Sequence, residues 1–232
     1  MGKYLFIGGS TGIGEATAHI LLSEGHEVIL VTRKSEPDVN IPGASIFQGD
    51  ILDAAAQLPI IEGHIDGLVY FPGSINLKPF RSLTRKDFEN DMEVNFYGAV
   101  RAIQFYLENL KQAPFPSIVL FSTVAAKVGM PFHASVAASK SAIEGLTLSL
   151  AAEFAPKIRV NAIAPSLTNT PLATRLLNTE EKQKMAAERH PLKKVGDASD
   201  PGFMTAFLLT EKSKWMTGQI LHVDGGMSSL KV

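Results

Sequence analysis

Short, continuous apolar runs alternate along this chain with longer stretches in which apolar residues recur at helical spacing. Seven runs stand out, at 4–8, 27–31, 45–48, 67–71, 117–121, 159–163 and 219–223, each bounded by Gly, Pro, Asp, Asn or Ser. Strands need such runs, without polar alternation, when both of their faces are covered, as in a parallel sheet flanked by helices. The first helical stretch, 11–24, puts Ile13, Ala16, Ile20 and Leu21 on one face and sets Gly25 where a C-terminal cap belongs. Stretches 85–110 and 135–154 are longer and carry apolar residues on more than one face, among them Val94, Ala99, Ile103, Phe105, Ile143, Leu146 and Leu150. Burial against the sheet and a subunit interface both account for that. The pattern predicts one α/β domain over residues 1–232, doubly wound, with about seven parallel strands and helices on both faces. Connections 37–43 and 54–63 leave little room for crossover helices, so one helix should be shortened or missing. Residues 171–191, charged and helix-prone between two prolines, read as a lid-like excursion over the sheet's edge.

Composition then excludes several classes of function. A chain of 232 residues with 45% apolar and 19% charged positions buries a sizeable core and is not a disordered scaffold. Lys and Arg number 22 against 23 Asp and Glu, so no global positive charge exists to condense on nucleic acid or an anionic membrane surface. No run approaches the roughly 18 apolar residues of a membrane span. With no cysteine, thiolate metal sites and cysteine nucleophiles are excluded and a cytoplasmic setting is the expectation. The six histidines are scattered, and no metal site is expected.

The first strand runs into Gly8-Gly9-Ser10-Thr11-Gly12-Ile13-Gly14 and then into a helix. Glycines there permit a sharp turn and a close ligand, while the helix's first amides and its dipole favour a pyrophosphate. The spacing is the wide Gly-x-x-x-Gly-x-Gly form, and a tight turn without a ligand is the alternative. About 20 residues on, the second strand ends in Thr32-Arg33-Lys34-Ser35. A carboxylate there would hold a ribose 2′-hydroxyl; Arg33 instead suits a 2′-phosphate bidentately and Lys34 adds charge, which favours NADP(H) over NAD(H). Two solvated surface cations are the bland alternative.

In these residues and in those that follow, the chain resembles the short-chain dehydrogenase/reductase family from its first strand to Val223-Asp224-Gly225-Gly226. The resemblance implies a Rossmann-type fold and gives roles to further residues. Gly8, Ser10, Thr11, Gly12, Ile13 and Gly14 become the cofactor turn, and Asp50 and Ile51 the adenine-contacting step. Gly73 ends a turn, Tyr70-Phe71-Pro72-Gly73, that is asparagine-rich in the family. Asn95 corresponds to the asparagine of the catalytic set, and Thr123 stands where the family usually has its active-site serine. Pro165, Thr168 and Thr170 belong to the nicotinamide-clasping segment, in which Ser166 replaces a glycine. The Tyr-x-x-x-Lys pair is half present: Lys140 remains, and Val136 occupies the tyrosine position.

By the family's route, tyrosine protonates the alkoxide that hydride transfer leaves behind, while lysine lowers the phenol's pKa and holds the nicotinamide ribose. Valine has no proton to give, and a positioned acid is worth about 10²- to 10⁴-fold in rate. His133, Tyr97, Ser122, Ser135 and Thr123 are candidate substitutes, as is Lys140 acting through water. His133 also reads as a capping residue, and Tyr97 as packed between helices. Three functions remain open: an NADP(H)-dependent oxidoreductase of a carbonyl or alcohol with rerouted proton transfer, a binding protein that holds NADP(H) without turnover, and a different reaction such as elimination or isomerisation in the same pocket. A small-molecule substrate is expected between apolar walls that include Met130, Phe132, Val136 and Leu172. The resemblance also implies a homodimer or homotetramer joined through the two long helices.

Overall fold

The computed structural model describes residues 1–33, 39–53 and 57–231. Seven parallel strands form one sheet: β1 (Lys3–Ile7), β2 (Glu27–Thr32), β3 (Ser45–Gln48), β4 (Gly67–Tyr70), β5 (Ser117–Phe121), β6 (Arg159–Pro165) and, last in the chain, β9 (Ile220–Val223). Their order is β3-β2-β1-β4-β5-β6-β9, so the chain winds outward from β1 one way and then restarts at β4 on the other side. The seven runs read from the sequence are these strands. A two-residue pair, β7 (Thr168–Asn169) with β8 (Gly196–Asp197), forms a separate ladder that the apolar pattern could not announce.

Apart from the edge strand β3, which has no buried residue and so departs from the expected burial, alternate strand residues serve different layers. Leu5 and Ile7 of β1 join Leu68, Tyr70, Ile118 and Leu120 in the core facing α3 (Gly98–Lys111) and α4 (Ala134–Phe154). Tyr4 and Phe6 join Val69, Val119 and Ile163 on the opposite face, under α1 (Ile13–Ser23) and α7 (Ser199–Leu209). Each fully buried Leu, Ile or Phe contributes about 1.5–3 kcal/mol, which is why the strands read as unbroken apolar runs. Helix α1 ends as the sequence predicts: Gly25 has φ +80°, and the amides of Gly25 and His26 donate to the carbonyls of Leu22 and Leu21. Helix α7 escaped the sequence reading because Pro201 and Gly202 stand in its first turn. Gly202 permits a close approach to α1, where an added β-carbon would lie 3.4 Å from Ala16. The described residues of the two connections flanking β3 contain no helix, as their length implied.

The predicted helix 85–110 is broken at its middle. It consists of α2 (Arg85–Met92), a π-helical turn at Glu93–Tyr97, and α3. Thr84 and Asp87 cap α2 reciprocally, each side chain accepting from the other's amide. The break has a tertiary cause: the buried Tyr70 hydroxyl donates to Val94 O at 2.7 Å. Gly98 lies against that hydroxyl, so an added β-carbon would sit 2.1 Å from Tyr70 Oη. At the other end of the sheet, Asn161 accepts from Gln219 N and donates to Met216 O, both at 3.0 Å. The Arg159 guanidinium gathers the carbonyls of Leu208, Thr210, Ser213 and Met216. The Arg159-Val160-Asn161 motif therefore anchors the C-terminal crossover.

The Tyr70–Gly98 contact makes a stability prediction. Gly98→Ala should lower the unfolding free energy by about 1–3 kcal/mol in urea denaturation. In a Tyr70→Phe background the same substitution should cost distinctly less, because the closest atom is gone; equal costs would show that the hydroxyl does not set the register.

Candidate active site

A cleft of about 900 Å³ opens at the C-terminal ends of the strands, where the winding reverses between β1 and β4. Open α/β sheets bind ligands at such a switch point. Gly8, Ser10, Thr11, Gly12, Ile13 and Gly14 line it. Gly12 is the N-cap of α1 at φ +62°, and no side chain caps that helix start, so its first amides are left for a ligand. An added β-carbon on Gly14 would lie 2.2 Å from Gly9 Cα, a clash of backbone with backbone that only glycine avoids. Arg33, at the end of β2, is exposed and lines the same cleft, as do Asp50 and Ile51 after β3. Asp50 Oδ1 accepts from Leu52 N at 2.9 Å, which fixes that turn. Lys34 lies outside the described residues.

The floor is built by α4 and the π turn. Lys140 is 7% exposed; its Nζ donates to Phe121 O at 2.9 Å and keeps its other donors for the cleft. Burial lowers its pKa to about 8, with the nearby Asp91 carboxylate opposing the shift. An added β-carbon on Gly73 would lie 3.5 Å from Asn95 Oδ1 and 3.6 Å from Lys140 Nζ, so Gly73 gives access to both. Asn95 itself is fully buried and is not part of the cleft wall. Its Nδ2 donates to Ser74 Oγ at 2.8 Å and to Ser139 Oγ at 3.0 Å, while its Oδ1 accepts from Ser74 N. Ser74 in turn donates to buried Asp91 at 2.6 Å, and Ser139 to Val136 O at 2.9 Å. This chain ties the π turn to α4. Ser74, Asp91 and Ser139 carried no signal in the sequence, since their relation exists only after folding.

Val136, one helical turn before Lys140, lines the cleft, as do Thr123, His133, Pro165, Thr168 and Thr170. None of the chain's four tyrosines does. Tyr4, Tyr70 and Tyr106 are core residues whose phenol pKa values burial raises. Tyr97 is 52% exposed in the single chain and stands edge-on to Phe96, outside the cleft. Ser135 is buried with an unpartnered hydroxyl, and it too is outside the cleft. Ser122 lines the cleft but donates to Glu144 Oε1 at 2.6 Å. Thr123 Oγ1 accepts weakly from Ala125 N at 3.4 Å, leaving its proton available. His133 is the N-cap residue of α4, yet its ring caps nothing; Nδ1 lies 2.7 Å from Pro131 O.

One pair was not foreseen. His190 is 3% exposed on the cleft wall, with Nδ1 2.8 Å from Ala186 O and Nε2 2.8 Å from Ser166 Oγ. Gly225 of the Val223-Asp224-Gly225-Gly226 turn lies against the imidazole. Ser166 was visible only as a departure from glycine, and His190 as one scattered histidine. Among the described residues no cluster suited to a metal ion occurs, and no helix is long and apolar enough to cross a membrane.

Comparison with known proteins agrees with this geometry. A family model described as enoyl-(acyl carrier protein) reductase matches residues 8–228. Glucose 1-dehydrogenase of Gluconobacter oxydans is 32% identical, over 97% of this chain and 91% of its own. Ligand-free aldohexose dehydrogenase of Thermoplasma acidophilum superposes with a TM-score of 0.88 at 25% identity, covering 100% of this chain and 96% of its own. ElxO with NADP bound superposes with a TM-score of 0.86 at 26% identity, covering 99% and 100%.

Burial of Lys140 predicts a pH dependence. Its folded pKa, about 8, lies below its ordinary 10.5, so between those values the unfolded chain binds the extra proton and stability rises with pH. At about 1.4 kcal/mol per unit, the wild type should gain up to about 3 kcal/mol across that window relative to Lys140→Met. Parallel stability curves for the two proteins would contradict the assignment.

Proposed function

The chain belongs to the short-chain dehydrogenase/reductase family, and on that premise we propose that it is an NADP(H)-dependent oxidoreductase of a carbonyl or alcohol substrate whose proton delivery bypasses tyrosine. The observation that carries this reading is that the glycine turn, Arg33 and Lys140 line one cleft at the switch point. The residues fit the cofactor. The uncapped start of α1 suits a diphosphate, and Arg33, in a Thr32-Arg33-Lys34-Ser35 stretch that holds no acidic residue, suits a 2′-phosphate. Lys140, beneath Gly73, suits the hydroxyls of a ribose, and Thr168 and Thr170 suit the carboxamide. The NADP-bound relative of the same fold supports this choice of nucleotide. When bound, the nucleotide supplies or accepts the hydride.

The chain's own residues must then handle the proton and the substrate oxygen. Thr123 offers a hydroxyl to orient that oxygen. Lys140 is the buried acid of the cleft, and the space Val136 leaves, where a phenol would reach, admits water between the ammonium and the substrate. Asn95 acts from behind, holding α4 to the π turn through Ser139 and Ser74. Segment 171–191, with α5 (Thr174–Leu177) and α6 (Glu180–Glu188), covers the substrate end as a lid. Phe105 and Leu148, exposed on α3 and α4, support the expected self-assembly through those helices. A second reading, retention of NADP(H) without turnover, is favoured by one observation: no tyrosine lines the cleft to replace the missing phenol.

Titrating NADPH fluorescence into the protein tests the shared premise. Arg33→Ala should weaken NADPH at least about tenfold while leaving NADH nearly unchanged, as expected on losing a bidentate contact to phosphate. Equal losses would remove the 2′-phosphate assignment. Val136→Tyr should raise the reduction of an aldehyde panel by at least about tenfold, with wild-type turnover low but above that of Lys140→Met. A wild type that binds NADPH and reduces nothing selects the second reading.

A further inference from the structure

Cations and carboxylates balance across the whole chain, but not in the cleft. Among the described residues, Arg33, Lys140, Arg175, Lys182 and Arg189 line it against one carboxylate, Asp50. Arg33 and Asp50 belong to the ends of β2 and β3, and Lys140 to the floor. The other three cations come from segment 171–191, whose own acids, Glu180, Glu181 and Glu188, do not line the cleft.

Helix geometry produces this separation. Positions 182, 185, 186 and 189 fall on one face of α6 and its C-terminal cap, spaced by three and four residues. They place Lys182, Met185, Ala186 and Arg189 on the cleft side. Before them, Leu172, Arg175 and Leu176 repeat the theme. The orientation is fixed by a small buried core of Ala173, Leu177 and Ala186, with Leu176 packed against it. Lys182 Nζ locks α6 to α5 through Arg175 O at 3.2 Å and Asn178 Oδ1 at 2.8 Å. Among the described residues the side chains of Arg175 and Arg189 have no hydrogen-bond or ion-pair partner, although the chain holds acids enough to supply one.

We propose that this face recognises a substrate that is an apolar molecule bearing one anionic group, a carboxylate or phosphate. Arg175 and Arg189 hold the anion, and Leu172, Leu176 and Met185 cover the hydrocarbon body. The proposal rests on the oxidoreductase reading only in taking the ligand as substrate; the anion site itself stands on the segment's geometry. A planar guanidinium matches either oxyanion bidentately. The rival source of the same charge is the nucleotide's diphosphate, because Thr170 and Pro171 abut Gly12 and Arg175 follows one turn later.

The test uses hexanoate and hexanamide as probes, titrated calorimetrically into the full-length protein with and without saturating NADP. Hexanoate should bind at least about tenfold more tightly than hexanamide, the worth of one charge-assisted contact. Arg175→Gln and Arg189→Gln should each shrink that preference severalfold while changing NADPH affinity less than about twofold. Because both side chains are exposed, these variants should fold as the wild type does. Equal affinity for the two probes, or binding of neither at millimolar concentration, overturns the proposal. So does a large loss of NADPH affinity in the variants with the hexanoate preference intact, which hands the cations to the diphosphate. Failure of the wild type to bind NADP at all defeats the functional reading instead, and the hexanoate titration of the unloaded protein still decides the anion site.

Discussion

The close approach of Gly14 to Gly9 governs the site. Because two backbones meet there without side chains between them, α1 can begin directly at the end of β1 and lie along the sheet. Its uncapped start then lies on the cleft that Gly12, Ile13 and Gly14 line. The later features use that placement. The turn after β4 packs against Gly8 through Pro72, and Thr170 leans on Gly12, so two separate chain segments converge on one glycine turn. A larger residue at Gly14 would displace α1, and with it α7, whose Gly202 packs on the other side of the same helix.

Features legible in the sequence were those fixed by local chemistry. Strand runs, the Gly25 cap, the glycine turn and Arg33 each follow from residues close together in the chain, and the structure places them accordingly. What could not be read depends on distant pairs. The π turn at Glu93–Tyr97 is set by Tyr70, some 24 residues earlier, and nothing in the helical pattern of 85–110 marks it. Ser74, Asp91, Asn95 and Ser139 become a network only when α2, the π turn and α4 meet. His190 and Ser166, 24 residues apart, likewise acquire meaning only through a 2.8 Å contact. Helix α7 was hidden for another reason: proline and glycine are breakers in a helix interior but are tolerated in its first turn.

The contrast between Val136 and its surroundings is chemical. Around it the polar framework is complete: Lys140 is buried and bonded, Asn95 has its side-chain donors and acceptor matched, and Thr123 presents a hydroxyl. Burying an ammonium and an amide costs stability unless partners are supplied. A site reduced to scaffold would gain by replacing Lys140 with an apolar residue, since its lowered pKa records a desolvation that its contacts only partly offset. Keeping that lysine while the adjacent position is apolar fits a role that the ammonium fills without a phenol beside it.

The electrostatics of the cleft bear on that role. Burial pushes Lys140 toward neutrality near pH 8, and Asp91 opposes the shift from behind the wall. Negative charge entering from the front acts in the same sense as Asp91, since an anion within a few ångströms favours the protonated amine. A dinucleotide over the glycine turn and an anionic group under Arg175 and Arg189 would both bring such charge into a confined space with little water to screen it. Ligation and protonation are then linked: each anion bound stabilises the charged lysine, and the charged lysine strengthens each anion's binding by the same amount. Above about pH 8, where burial would strip the unliganded amine of its proton, an acid assembled in this way regains it as the anionic ligands bind, which is what a buried amine can offer in place of a tyrosine.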